Sequence, residues 1–200
     1  MPINPDIPNG FKPVRHLNGS PWNGQTNTYF ILASNATATY VGDAVRSGGS
    51  ADTLGQYATV EQAIAGDRIR GIITAFGNTP QIMANTNDLA AKYRKASVAM
   101  YCSVVDDPNV IFEAQEDGVT TPIAAASVGI NVDLVSGGGS TATGASGMEL
   151  DSDSGSGTAT AQFRVLNLVR SEDNQLGTNA RWQVLINEHE FKSAQGQNGK

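Results

Sequence analysis

Two hundred residues suffice for one domain, or for one domain with an appendage, and need no disulfide or metal to be stable. Only 16% of the residues are charged and 22 of the 200 are Gly, where ~25% charged and ~7% Gly are usual; short strands joined by loops suit that composition better than long exposed helices. The net charge is −6 and no basic block exists to collect phosphates, so direct nucleic-acid binding is not expected.

Residues 1–30 read as an extended arm. Five of the eight prolines (Pro2, Pro5, Pro8, Pro13 and Pro21) fall here, a spacing that forbids both helix and central strand. MPINPDIPNG lacks the charged and apolar regions of a secretory signal, and no run in the chain reaches the ~18 apolar residues that span a bilayer. The expectation is therefore a soluble protein made in the cytoplasm, without a membrane partner. The arm is not a plain linker, because it carries Ile3, Ile7, Phe11, Val14, Leu17, Trp22, Tyr29 and Phe30. A Pro-rich chain is already extended when free, so it lies along a surface at reduced entropic cost. It reads either as a strap on its own domain or as an arm that reaches a neighbour.

Residues 31–191 read as a β-rich body. TYFILAS and TATYVGDAVR are short strands, the pair ending at Ser47-Gly48-Gly49-Ser50. Ala65-Gly66-Asp67 is a turn, after which Arg68, Arg70 and Ile72 alternate against Ile69, Gly71 and Ile73. Thr79–Lys95 is the one helix candidate, with Asn87 or Asp88 as cap. Val98–Asp117 reads as a β-hairpin turning at Asp106-Asp107-Pro108-Asn109, with apolar residues on both faces. Its Cys102 is a buried small hydrophobe, and as the only cysteine it closes no intrachain disulfide. A loop then leads into a strand, SVGINVDLV. Ser136–Ala161 is dominated by Gly, Ser, Thr and Ala, interrupted by Met148, Glu149 and Leu150, and reads as a long surface excursion of one domain. QFRVLNLVR and RWQVLINEHEF close the body, with Trp182, Val184 and Ile186 on one face. Residues 192–200 are a polar tail. Eight to ten strands at this spacing predict a mainly β, sandwich-like or barrel-like (β-tulip-like) domain.

The residues compose no catalytic arrangement. His16 and His189 lack metal-ligand or triad spacing, and NEHEF reads as a solvated strand end. Asp151-Ser152-Asp153-Ser154-Gly155 opens like a calcium loop but lacks the third acid and the distal Glu. The glycines within 137–139 and 155–157 fit no phosphate loop. Glu113 and Glu116, a candidate carboxylate pair for a hydrolase, point to opposite faces of one strand. No enzymatic activity, cofactor or metal is expected.

Three blocks carry a resemblance: GFKPVRHLNGSPWNG, SVVDDPNVIFEAQED and LNLVRSEDNQLGTNARWQVLINEHEF. Together they are similar to the head decoration, or capsid cement, proteins of tailed bacteriophages, over most of the chain. The resemblance implies a virion structural protein on the outer capsid surface, a homotrimer that clamps neighbouring copies of the major capsid protein. Three tethered arms rebind at high effective concentration, so modest contacts add up to a long-lived attachment. Phe11, Arg15 and Trp22 have the residue types that anchor interfaces and are the expected contact residues. A different class remains open beside this one: a β-sandwich recognition module for a glycan or host surface, displayed on the virion.

Overall fold

The computed structural model describes residues 3–77, 91–155 and 159–192, and the chain is mainly β. The strands of its first half are β1 (Lys12–His16), β2 (Asn27–Ile31), β3 (Thr39–Tyr40), β4 (Ala44–Ala51), β5 (Ala58–Gln62), β6 (Gly71–Gly77) and β7 (Tyr93–Arg94). The second half adds β8 (Met100–Val105), β9 (Val110–Gln115), β10 (Asn131–Val132), β11 (Leu134–Val135), β12 (Glu149–Leu150), β13 (Phe163–Leu168) and β14 (Arg181–Ile186). Two layers of five contain most of them. A closed barrel runs β2-β5-β4-β6-β8, and an antiparallel sheet runs β1-β9-β14-β13-β10. Two small ribbons, β11–β12 and β3–β7, lie outside these layers.

Side-chain alternation sorts the strands into these layers. Met100, Cys102 and Val104 of β8 point into the barrel, where they meet Tyr29, Ile31, Val45, Val60, Ile73 and Phe76. Ala44, Ile72 and Val105 face the other way and pack against the sheet. From the sheet side, Trp182, Val184 and Ile186 of β14 join Val110 and Phe112 of β9 and Phe163 and Val165 of β13. The one-face pattern read for β14 is the core face.

The segment 98–117 is strand, turn, strand as expected, but its two strands do not pair with each other. β8 lies between β2 and β6, and β9 lies between β1 and β14. Asp106-Asp107-Pro108-Asn109 is a corner that carries the chain from barrel to sheet. Strands with apolar side chains on both faces need cover on both sides and a neighbour at each edge, which separate layers provide and a lone hairpin does not.

Four further expectations change. In the 1–30 segment, where no central strand is expected, β1 is an edge of the sheet but β2 is an inner stave of the barrel, so of its two readings the strap on its own domain holds. At that edge the missing N–H of Pro13 interrupts no inner ladder, and the register slips between Pro13 and Arg15 as a bulge. Phe11, expected as an outward anchor, is 1% exposed and stacks on Phe163 with ring centroids 4.3 Å apart. In the helix candidate, residues 78–90 lie outside the described residues, while Tyr93–Arg94 is a strand. Tyr93 stacks on Tyr40 at 5.2 Å, and the buried Arg94 guanidinium donates to the carbonyls of Leu32, Asn35, Thr37 and Val98. Such contacts outweigh helix propensities of a few tenths of a kcal/mol per residue.

The Gly/Ser-rich excursion is on the surface only in part: residues 140–143 are exposed, but the stretch that follows enters the body. Met148 and Leu150 are fully buried in the core, and a Cβ on Gly139 would lie 2.3 Å from the Tyr40 ring. Finally, NEHEF is not a solvated end. His189 is fully buried and bridges Ile69, while Glu188 and Glu190 pair with Arg68 and Arg70. The tail begins at Lys192, whose ammonium donates to the Ile186 carbonyl; 193–200 lie outside the described residues.

Removing the Phe11 ring from this core is expected to cost about 3–5 kcal/mol of unfolding free energy. Chemical denaturation of Phe11→Ala measures it. A loss within the ~0.5 kcal/mol typical of surface positions would restore the detachable arm.

Candidate interaction surface

Residues 3–9 form a strap across the end of β9 and the loop at 171–177. Asn4 fixes its start: its backbone N–H donates to Asp173 O (2.9 Å), its Nδ2 donates to Gln175 O (2.9 Å), and its Oδ1 accepts from Gln175 N (2.8 Å). Gln115 fixes the middle by donating to Pro5 O (3.1 Å) and accepting from Ile7 N (3.2 Å). Gly10 fixes the end, because it has φ +63° and a Cβ there would come 2.5 Å from Gly42 O. Phe11 N then donates to Gly42 O (2.9 Å), and the ring drops into the core.

With its backbone tied down this way, the strap turns Ile3 and Ile7 outward, and Val14 on β1 and Leu17 just after it are exposed as well. Ile3, Ile7, Val14 and Leu17 are between 37% (Val14) and 66% (Ile7) exposed. Leu176 is 52% exposed and follows Gln175, the residue that Asn4 holds. Of the expected contact residues, Phe11 is inside. Arg15 lies on the sheet's outer face and donates from Nη2 to Gln183 Oε1 (3.2 Å). Trp22 is half-buried at the sheet edge, where its backbone N–H donates to Val14 O (3.2 Å). The structure therefore does not bring the three together as one anchor. Leu176 was invisible to sequence reasoning, because only the fold sets it beside the strap.

Between strap and sheet is a cleft of about 190 Å³, lined by Pro5, Ile7, Lys12, Glu113, Asp173 and Arg181 among others. Its charges are internally matched. Arg181 reaches Asp173 at 2.5 Å and Glu113 at 3.6 Å, and Lys12 stands opposite Glu113 in register. The Ser171 hydroxyl, and behind it Arg181, holds the Asp173 carboxyl below its ordinary range. A neutral, hydrogen-bonding cleft beside an apolar row is suited to contact between surfaces.

The groups that suggested chemistry are engaged in holding structure. Cys102 lies inside the barrel, and burial pushes its thiol up to about 12. Asp151 caps the short 3-10 turn at Ser152–Ser154 by accepting from Asp153 N (3.0 Å) and Ser154 N (3.1 Å). Burial pushes His189 down to about 4, so the ring is neutral near pH 7. Glu113 lies on the outer face of the sheet, whereas Glu116 is fully buried, so this carboxylate pair does not assemble.

A second surface lies on the outer wall of the barrel, away from both cores. Phe30 and Tyr57 are half-buried there and contact the Tyr101 ring at 4.8 and 5.4 Å. The Tyr101 hydroxyl donates to Asp52 (3.2 Å). Compared with family models, curated proteins and solved structures, this chain has no match.

The strap's hold on the sheet is testable through Gln115. Gln115→Ala removes two strap hydrogen bonds at about 1 kcal/mol each. Proteolytic nicking within residues 3–9 is expected to accelerate, with global stability lowered by no more than about that sum. An unchanged nicking rate would show that Gln115 does not hold the strap.

Proposed function

We propose that this chain is a structural protein of a tailed-phage head, which binds the outer capsid surface as a homotrimer and stabilises contacts between major capsid protein subunits. The observation that carries the reading is the strap and the β1 edge that follows it: a backbone clamped to its own sheet, with Ile3 and Ile7 of the strap, Val14 and Leu17 of the edge, and Leu176 exposed. A cement protein needs a firm body and several modest contacts, and a pre-ordered strap loses little entropy when it docks. The family-like blocks at 10–24, 103–117 and 166–191 agree with this role.

Ile7→Asp and Leu17→Asp test it without disturbing the core, since both side chains are more than half exposed. Burying such a side chain is worth about 1.5–3 kcal/mol, so occupancy on purified heads at limiting protein is expected to fall about tenfold or more, with unfolding unchanged. Full occupancy by the double variant would remove the strap from the interface.

The aromatic cluster at Phe30, Tyr57 and Tyr101 favours a second reading, a glycan-recognition module on the virion, since sugar rings stack on aromatic faces. A glycan array decides: binding that Phe30→Ala abolishes supports it, and an empty array rejects it.

A further inference from the structure

The end of β9 holds a carboxylate in an unusual setting. Glu116 is fully buried, and its backbone pairs with Ala180 and Leu150. One side-chain oxygen accepts from Ile123 N at 2.8 Å, closing the loop between them; Oε1 has no hydrogen-bond partner among the described residues. From β14, the Trp182 indole N–H faces Glu116 short of full hydrogen-bond geometry and, like the Ile123 amide, favours its charged form. The next residue, Asp117, adds like charge to it and also to Glu149 on β12, the residue before Leu150, whose Oε1 is likewise buried and bare. Asp6 of the strap faces Glu149 in turn. From the 3-10 turn, Asp151 and Asp153 are taken up by backbone amides, Asp153 by that of Thr121 (3.1 Å). Between Lys95 and Arg164 the sequence contains no Lys, Arg or His, and among the described residues no ion pair involves Asp6, Glu116, Asp117 or Glu149.

Ionising either glutamate therefore puts a charge without a cationic partner into a buried setting beside like charges. The consequence reaches the strap, because Gln115, which clamps Pro5 and Ile7 on either side of Asp6, is the residue before Glu116. We propose that the loop Asp117–Ile123 and the strap at 4–9 form a proton-controlled latch, closed against the sheet while Glu116 and Glu149 are neutral and released from it when they ionise, with the barrel and β1 remaining folded. In a cement protein, such a latch sets the strap free or holds it down according to pH.

Burial pushes both carboxyls up to about 7; Asp6 and Asp117 reinforce this at Glu149, while the Ile123 N–H partly offsets it at Glu116. The closed latch thus holds protons that the open one releases. Its stabilisation is complete below the ordinary value of 4.5, declines as pH rises, and is lost above about 7.

The test is amide exchange on the free full-length protein at pH 5 and pH 8, corrected for intrinsic rates. Protection at the amides of Asn4, Ile7 and Ile123 is expected to fall roughly tenfold or more, since each unit of pKa displacement is a factor of ten. Glu116→Gln keeps an acceptor for Ile123 and removes the charge, so with Glu149→Gln it should flatten this dependence. Glu149→Gln alone, at a half-buried position, should reduce it even if the Glu116 variant fails to fold. An undiminished fall in the variants, or equal loss of protection along β14, overturns the latch.

Discussion

The structure depends on one corner. At Asp106-Asp107-Pro108-Asn109 the chain leaves the barrel and enters the sheet, and the two carboxylates divide the work of holding both. Asp106 accepts from Asn27 Nδ2 (2.8 Å) and from the Tyr29 hydroxyl (2.6 Å), which ties it to β2 of the barrel. Burial and this bond together raise the Tyr29 phenol well above its ordinary value. Asp107 accepts from Asn109 N (2.9 Å) and pairs with His16 (3.2 Å), which ties it to β1 of the sheet. Leu17 N donates to Asn109 O (2.7 Å) and completes the junction. Asp106 is buried, so losing it would strand the Tyr29 hydroxyl in the interior.

This corner also explains why the first thirty residues serve two purposes. β1 and β2 each meet it, so the N-terminal segment must be part of both layers. Phe11 is committed to the core, and the bulge between Pro13 and Arg15 shifts the alternation after it, leaving Val14 and Leu17 exposed. A segment held at Asn4, Gln115 and Gly10 has little freedom left to lose when something docks on it.

Much of this was legible in the sequence. Two-residue alternation located β8, β9, β13 and β14, and put Trp182, Val184 and Ile186 on one face, which the fold makes the core face. The Asp-Asp-Pro-Asn turn was visible too, but pairing was not, because local turn chemistry is the same whether the strands on either side join each other or separate sheets. The prolines fit the edge placement of β1, with Pro13 on that edge, but β2 follows the last of them, Pro21, and is an inner stave of the barrel that proline spacing does not exclude. Composition misled in the Gly/Ser-rich stretch. Small residues there permit close packing, as at Gly139 against Tyr40, and the rare large ones, Met148 and Leu150, fill the core. Tyr93 and Arg94 were misread for a related reason: their stacking partner and three of the four carbonyl acceptors are distant in sequence. The outward row on the strap could be listed from the sequence as apolar residues, but which of them turned inward needed the fold.

The central claim is that a strap folded into its own domain is the face presented to a capsid. Hydrogen–deuterium exchange of the protein free and bound to heads tests it most directly. New protection confined to residues 3–17 and 174–177, with the barrel wall around Phe30 and Tyr101 unchanged, is the predicted result. Protection of the barrel wall with the strap unaffected would contradict it.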